Sequence, residues 1–242
     1  MIARVHAIAS RECGSFFRLP AGWIVLSLFA LLCGTLFTLQ TLVPGNPATM
    51  RGFFTLSGWL LIPVVPAISM RLFSEEYRSG TFEALATSPV GDLSLVLGKF
   101  LGAFLFLLIM GLPSVVLSLV LFKASDPKPE IGPILTGYLS LVLLGSFYLA
   151  IGLFISSLTA NQTLAFLATL FVLIAFLAGP AVAVHNGPAW IRPIADLLSL
   201  DIRTRDFAKG VVDTRHLIFF ISSIALLITL AFASVHSRRW RG

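Results

Sequence analysis

Charged residues are absent from five long stretches of this 242-residue chain, and their segregation limits the folds that the chain can adopt. A helix needs about 20 consecutive apolar residues to cross the hydrocarbon core of a bilayer. Four of the stretches suit one span each, and the fifth, 61 residues long, suits two spans divided at the polar sequence SSLTANQT, residues 156–163. The stretches lie between Arg18 and Arg51, Arg51 and Arg71, Lys99 and Lys123, Glu130 and Arg192, and Arg215 and Arg238. This pattern predicts six transmembrane helices.

The predicted fold is an all-α membrane protein, with one transmembrane domain over residues 1–242. The six spans are placed at about 21–42, 53–72, 100–122, 132–155, 163–184 and 215–236. Only 12% of the residues are charged, against roughly 25% in ordinary globular proteins, so the buried helices of a soluble core are a poor explanation for all six. The spans use more than half of the chain and leave too few residues for a soluble enzymatic domain.

Residues 1–19 precede the first span and are predicted to form an amphipathic helix. Apolar residues recur along it at steps of three or four, while arginines repeat at every seventh residue on another face. The apolar positions are Ile2, Val5, Ala9, Cys13 and Phe16, and the arginines are Arg4, Arg11 and Arg18. This arrangement is typical of a helix that lies in the membrane interface. A short cytosolic helix is the alternative.

Basic residues flank the first and last spans, and they predict the orientation of the chain. Three arginines precede the first span and three follow the last one, in the sequence HSRRWRG. Because basic residues favour the cytoplasmic side, we expect both termini in the cytoplasm. The net charge of +6 suits anionic lipid, and no soluble basic face is available for nucleic acid. Residues 185–214 then form an outer interfacial or re-entrant segment, either a substrate gate or a lid.

Residues 73–99 are the most charged and most interrupted part of the chain, and we expect them at the cytoplasmic surface in contact with a soluble partner. Arg71, Glu75 and Arg78 are spaced to support one another on a helix that extends the second span. Gly80 interrupts that helix. A short helix, TFEALAT, follows and ends at Pro89. Asp92 can cap a third helix, which returns to the membrane at Lys99.

Several chemical motifs are absent from the sequence. The segment GDLSLVLGKF has six residues between its glycines and a phenylalanine where a phosphate loop needs Ser or Thr, so the chain should not hydrolyse nucleotide. No His or Cys pair has metal-ligand spacing. We expect no buried ionisable group within the six predicted spans, which argues against an ion-coupled carrier. We therefore expect no cofactor or metal bound by this chain.

The charged insert, EEYRSGTFEALATSPVGDLSLVLGKF, resembles the cytoplasmic segment of type-2 ATP-binding-cassette (ABC) exporter permeases. That family has an acidic pair, a basic residue, Gly-Thr, a hydrophobic residue with Glu, Leu, Ser-Pro-Val and then Gly-Lys. The matching residues are Glu75, Glu76, Arg78, Gly80, Thr81, Glu83, Leu85, Ser88, Pro89, Val90, Gly98 and Lys99. The segment FAKGVVDTRHLIFFISSIALL resembles the gliding-motility and copper-processing branch, except that His216 stands where an acidic residue is expected.

The resemblance implies a permease subunit of the bacterial inner membrane that dimerises with a second copy or a paralogue. Separate ATPase subunits in the cytoplasm would hold ATP and magnesium, and a periplasmic accessory subunit could join. Residues 81–87 would be the coupling helix, and the turn at 157–162 would make a smaller contact or be a plain polar turn. The residues expected to contact the ATPase are Glu75, Glu76, Arg78, Gly80, Thr81, Phe82, Glu83, Leu85, Ser88, Pro89, Thr159, Asn161 and Gln162. The alternatives are an ion-coupled secondary carrier or a membrane-embedded enzyme.

Overall fold

The computed structural model describes residues 1–41, 48–82, 91–186 and 192–239, together with 188 and 190. Within these residues the secondary structure is helical, without strands. The helices are α1 (Ile2–Arg18), α2 (Pro20–Thr41), α3 (Arg51–Ser69), α4 (Ser74–Ser79), α5 (Asp92–Ala124), α6 (Ile131–Leu158), α7 (Gln162–Asn186), α8 (Arg192–Leu198), α9 (Leu200–Ala208) and α10 (Thr214–Arg239). Helices α2, α3, α5, α6, α7 and α10 are long and apolar enough to cross a membrane, which confirms the six predicted spans.

Helices α3 and α6 form the centre of the bundle, and the other spans surround them. Close contact between the two central helices depends on small residues. A Cβ atom on Gly152 would lie 2.0 Å from the Ser69 hydroxyl oxygen, and one on Gly137 would lie 2.2 Å from the ring of Phe54. Helices α2, α7 and α10 bury little of their surface in this chain. Their apolar outer faces are available to lipid or to another subunit.

Helix α1 lies against α5 rather than apart from the bundle. Gly98 and Gly102 stand one turn apart on α5, where Cβ atoms would lie 2.6 Å from Ile8 and 2.6 Å from Glu12 side-chain carbons. The ring of Phe16 stacks on Phe106 with centroids 4.6 Å apart. The apolar stripe of α1 therefore packs on protein at Ala9 and Phe16, whereas Ile2 at its start is exposed. Arg4, Arg11 and Arg18 are also exposed. The interfacial position of this helix remains a prediction.

The helix that contains the predicted third span begins well before residue 100. Helix α5 is continuous from Asp92 to Ala124, so the predicted return helix and the span from residue 100 are one 33-residue helix. Asp92 does not cap it, because the N-cap position is Gly91 without a side-chain hydrogen bond. Lys99 therefore lies two turns inside a long helix and is not at its boundary.

The segment before the last span folds back onto the bundle. Helix α9 packs against α3 and α6 and buries Phe207. The hydroxyl of Thr136 on α6 donates a hydrogen bond to the Phe207 carbonyl at 2.6 Å. Gly210 then turns the chain with a φ of +92°, a left-handed conformation that favours glycine. This end of the bundle is called the α9 end below, and the opposite end is called the α4 end.

Candidate functional site

The predicted site residues that the structure describes lie together at the α4 end, where α1, α4, the starts of α5 and α7, and the last turns of α6 and α10 meet. Glu75, Arg78, Gly80, Thr81 and Asn161 are exposed there. Glu76, Phe82, Thr159 and Gln162 are half-buried. The predicted residues Glu83, Leu85, Ser88 and Pro89 lie outside the described residues, as does most of the coupling helix expected at 81–87.

Ser156 of α6 fixes the junction between α3 and α4. Its hydroxyl oxygen accepts hydrogen bonds from the backbone N–H groups of Phe73 at 3.0 Å and Ser74 at 3.1 Å. It also donates to the Met70 carbonyl at 3.3 Å. Ser156 and Ser74 are fully buried. The helical extension predicted from Arg71 to Arg78 is therefore wrong as one continuous helix, since α3 ends at Ser69 and α4 restarts at Ser74 with Ser156 as its cap.

Helix α4 ends at Gly80, where the sequence predicted an interruption. Gly80 has a φ of +72°, which is the left-handed conformation common after a helix C-terminus. Beyond it, the ring of Phe82 packs edge-on against Tyr77 with centroids 4.8 Å apart. Arg71, in the break between α3 and α4, donates two hydrogen bonds to Glu75 of α4, at 2.9 and 3.1 Å. The structure gives Glu75 this partner and records no ion pair between described residues Glu75 and Arg78.

The turn between α6 and α7 uses its polar side chains locally. The Asn161 carboxamide oxygen accepts hydrogen bonds from the N–H groups of Thr163 at 2.9 Å and Leu164 at 3.3 Å, and so caps α7. The Thr159 hydroxyl accepts from the Asn161 N–H at 3.1 Å. These bonds account for Thr159 and Asn161 as a polar turn, while the amide group of Asn161 stays exposed to a partner.

The last turns of α10 connect α4 to that turn, through contacts that the sequence did not indicate. The Arg238 guanidinium lies 4.5 Å from the centroid of the Tyr77 ring and donates to the Leu158 carbonyl. One turn earlier, the Ser234 hydroxyl donates to the Ser157 carbonyl at 3.2 Å. These partners are about 80 residues apart in sequence or more, so no local pattern reveals them. They make α4, the α6–α7 turn and α10 one connected surface.

A buried cluster of charges joins α1, α4 and α5. Lys99 is 2% exposed, and its ammonium nitrogen lies 2.7 Å from a Glu76 oxygen and 3.5 Å from a Glu12 oxygen. The Phe73 ring centroid is 5.3 Å from the same nitrogen. Lys99 stands one residue before the predicted span 100–122, and the sequence did not indicate that its side chain is buried. The Gly98–Gly102 spacing was the available signal that another helix packs there.

A cavity of about 240 Å³ adjoins this cluster. Its wall carries equal numbers of cations and carboxylates, with the side chains of α1 on one side and those of α4 and α5 on the other. The charged lining residues are Arg11, Glu12, Arg71, Glu75, Glu76 and Lys99. The second carboxylate oxygen of Glu76 is buried and has no hydrogen-bond partner among the described residues. Glu76, predicted to face an ATPase, is thus directed toward α5 in this structure.

A second buried cation, Arg203, lies at the α9 end. It donates to the Leu197 carbonyl at 2.6 Å and to Nδ1 of His216 at 3.0 Å, and it stacks 3.8 Å over the Phe219 ring. Since arginine has no acceptor, His216 must accept at Nδ1 and carry its proton on Nε2, which donates to Asp206 at 3.2 Å. Burial lowers the pKa of Arg203, with Asp213 acting in the opposite direction. His216, the departure from the family pattern, therefore links the start of α10 to Arg203 and Asp206 of α9.

An apolar groove of about 340 Å³ lies between α6, α7 and α10. Four phenylalanine rings contribute to its lining, and Ser223 is its polar side chain. The rings belong to Phe147, Phe154, Phe176 and Phe219. Within the described parts of the chain, no group of three or more His, Cys, Asp or Glu residues is placed to hold a metal ion. The candidate site consists of the connected surface at the α4 end and this apolar groove.

Comparison with known proteins identifies a family. The model of the family described as ABC-2 family transporter protein matches residues 6–237, which include both charge clusters and all six candidate spans except the last residues of α10. No curated protein matches the chain. The match supports the type-2 resemblance of the charged insert, whereas the gliding-motility and copper-processing branch stays a prediction.

Proposed function

Since the chain belongs to the ABC-2 family of transporter proteins, we propose that it is the permease subunit of an ATP-driven exporter whose ATPase subunits bind at the α4 end. Two copies, or this chain and a paralogue, would enclose the transport pathway. With six membrane crossings, both termini would lie on one side of the membrane, and the flanking arginines favour the cytoplasm of a bacterial inner membrane for that side. An accessory subunit would then meet the α9 end.

The convergence of three separate chain segments at the α4 end carries the proposal. Helix α4, the α6–α7 turn and the end of α10 are joined by the contacts of Ser156 and Arg238. Polar groups of Arg78, Thr81 and Asn161 are exposed on this surface. A partner seated there contacts α4 and the turn together, so its movement reaches the central helix α6 through hydrogen bonds that already exist.

The proposed mechanism is a shift between two packings of the bundle. ATP closes the two ATPase subunits, and the segments seated on them, including the coupling helix proposed at 81–87, are drawn together. Because Ser156 attaches the α3–α4 junction to α6, the spans are driven from an inward-facing to an outward-facing arrangement. ATP and magnesium stay on the ATPase, and this chain supplies no chemistry.

The apolar groove supports an amphipathic or lipid-like cargo. It opens between α7 and α10, whose outer faces carry exposed apolar residues such as Phe171, Ile218 and Leu226. An acyl chain can enter such a groove from the bilayer without leaving an apolar environment. A small polar solute would find one hydroxyl there, that of Ser223.

The buried charges of Lys99, Glu12 and Glu76 are the observation that favours an ion-coupled carrier. Their position argues against that function. They lie at one end of the bundle, where α1 and α4 supply both carboxylates, whereas coupling sites of carriers lie near the middle of the membrane. We therefore retain the permease as the proposed function.

Co-purification tests the proposal. A tagged chain extracted in mild detergent should recover an ABC ATPase, and the permease should change the rate at which that ATPase hydrolyses ATP. Recovery of the chain without any ATPase would contradict the permease function.

Replacement of Phe82 by Asp tests whether the segment after Gly80 transmits movement of the ATPase to the spans. The charge removes the contact with the Tyr77 ring and should uncouple the bundle from the ATPase while the six spans still insert. The expected result is an ATPase rate that no longer responds to the permease, whereas Phe82→Leu keeps the response. If the ATPase rate still responded to the permease carrying Phe82→Asp, this segment would not be the part that couples the two subunits.

A further inference from the structure

Lys99 is shared unequally by two carboxylates. The distance of 2.7 Å to Glu76 is that of a charge-assisted hydrogen bond. The distance of 3.5 Å to Glu12 exceeds the usual hydrogen-bond range, so this second contact is an ion pair without a full hydrogen bond. An ammonium group has three N–H donors and can turn among acceptors. Glu12 is therefore an acceptor in reserve.

The two carboxylates belong to parts of the molecule that are anchored differently. Glu12 lies on α1, which is seated on α5 through Gly98 and Gly102, so it moves with Lys99. Glu76 lies on α4, a six-residue helix bounded by the break at residues 70–73 and by Gly80. Ser156 attaches that junction to α6. The Lys99–Glu76 pair consequently bridges an α1–α5 unit and an α4–α6 unit.

We propose that Lys99 exchanges its hydrogen bond from Glu76 to Glu12 when α4 is displaced during the transport cycle, which rests on the proposed function. A buried ammonium left without a partner is strongly unfavourable. Glu12 prevents that state, because it already lies within 3.5 Å and travels with α5. Lys99 thus stays paired in both positions of α4.

The adjoining cavity has room for the Glu76 carboxylate after it leaves Lys99. Arg11 lines it beside Glu76, as does Arg71, which also donates to Glu75, so the released carboxylate moves toward positive charge instead of into apolar surroundings. The buried oxygen of Glu76 that lacks a partner in this structure gains one on leaving. The arrangement therefore has two paired states, one with α4 bound to α5 and one with α4 released. Glu12 and Glu76 are positioning residues for this switch.

Two neutral substitutions should shift the switch in opposite directions. Glu12→Gln keeps the 2.7 Å bond and removes the charge of the reserve acceptor, so it favours the bound position of α4. Glu76→Gln leaves Glu12 as the charged partner, so it favours the released position. If the cluster only stabilised the fold, both substitutions would loosen α4 in the same way.

The experiment measures the distance between α1 and α4 with spin labels at the exposed positions Ser10 and Ser79, in a chain whose Cys13 and Cys33 are replaced by Ala. In the ATPase complex, a non-hydrolysable ATP analogue should shift the wild-type distances to a second population. Glu12→Gln should reduce that population about fivefold or more. Glu76→Gln should populate it in the isolated permease, without ATPase or nucleotide. Glu130→Gln, in an exposed outer ion pair with Arg51, serves as the control without effect.

Different outcomes separate this inference from the proposed function. A normal nucleotide-driven shift in Glu12→Gln, or an isolated Glu76→Gln chain with wild-type distances, would overturn the exchange. Equal broadening in both variants would also overturn it, because that is the signature of lost structural support. The isolated-permease measurement needs no ATPase, so a failure to bind one counts against the proposed function alone. Should a glutamine variant fail to fold, Glu12→Asp and Glu76→Asp should show the same opposite shifts in weaker form.

Discussion

The two ends of the bundle each hold a buried cation, but they hold it in different ways. At the α4 end, Lys99 faces carboxylates from two helices that lie far apart in sequence. At the α9 end, Arg203 is held by Leu197, His216 and Phe219, all within 16 residues of it along the chain. We interpret the α4 end as a joint between units that move relative to each other. The α9 end is a clamp that fastens one segment locally.

The residue types agree with that difference. Lysine presents a compact charge on a flexible chain, and it can turn from one acceptor to another. Arginine presents a planar fork whose donors are fixed relative to one another, and its face stacks on an aromatic ring. A moving contact suits Lys99, and a fixed one suits Arg203.

The largest effect is expected for Lys99→Met. It removes the ammonium and leaves Glu12 and Glu76 without their cation, and the loss of one partner of a buried pair typically costs about 3–5 kcal/mol. The two carboxylate side chains are still 19% and 21% exposed, so the lower part of that range is expected. The unfolding midpoint in detergent measures it. Lys123→Met, at the exposed end of the same helix, should leave the midpoint unchanged. Equal midpoints for both variants would show that the ion pairs of Lys99 do not stabilise the α4 end.

A smaller loss of stability is expected for Arg203→Met. The hydrogen bonds and the stacking on Phe219 are lost, for about 2 kcal/mol, but the pairing of His216 with Asp206 remains and no buried carboxylate is stranded. Proteolysis within residues 185–214 should become faster, because α9 loses its fastening. Arg205→Met breaks an exposed pair with Asp201 and should change neither quantity measurably. If Arg203→Met lowered the unfolding midpoint more than Lys99→Met does, the expected order of the two ends would be reversed.

Ser156→Ala tests the anchor of the joint. The backbone N–H groups of Phe73 and Ser74 lose their acceptor in a buried place, which should cost about 1–2 kcal/mol. Hydrogen exchange at these two amides should accelerate. Ser146→Ala, on the same helix, removes only a hydroxyl that donates to the Val142 carbonyl of its own helix. Unchanged exchange at Phe73 and Ser74 would mean that α4 is held by other contacts.

The smallest effect is expected for Gly102→Ala, which tests the seat of α1. The added Cβ would lie 2.8 Å from the Ala9 carbonyl oxygen, so α1 must move outward, at about 1 kcal/mol. Burial raises the pKa of the Cys13 thiol, which lowers its thiolate fraction at a given pH. Release of α1 should therefore speed alkylation of Cys13 at pH 8. Gly111→Ala, with open space around its Cβ, is the control, and equal alkylation rates in both would contradict the close seat.

The six spans could be predicted from the sequence because a helix that crosses a bilayer has few charged residues over about 20 consecutive positions. Such charge-free stretches are visible in the sequence itself. The absence of charge does not indicate where the helix α5 starts. Lys99 was expected at the membrane surface, and the sequence did not indicate that α1 and α4 cover that residue and supply its counter-charges. From the sequence alone, a buried charged residue whose partners lie on other helices cannot be distinguished from a charged residue at the membrane surface.

The candidate site was predictable where it depends on local chemistry. Gly80 ends α4 because a left-handed residue is needed there, and the Arg71–Glu75 pair follows from helical spacing. The contacts of Ser156 and Arg238 connect residues some 80 positions apart, so spacing gives no sign of them. The Gly98–Gly102 repeat could have indicated the packing of α1, though not its orientation.

The most direct test of the joint and the clamp compares two distances in the ATPase complex, with and without the ATP analogue. One pair of spin labels joins Ser10 of α1 to Ser79 of α4, and the other joins Ile131 of α6 to Ile202 of α9, all exposed positions. Nucleotide should shift the first distance and leave the second unchanged. A nucleotide-driven shift in the second distance, with the first unchanged, would contradict it.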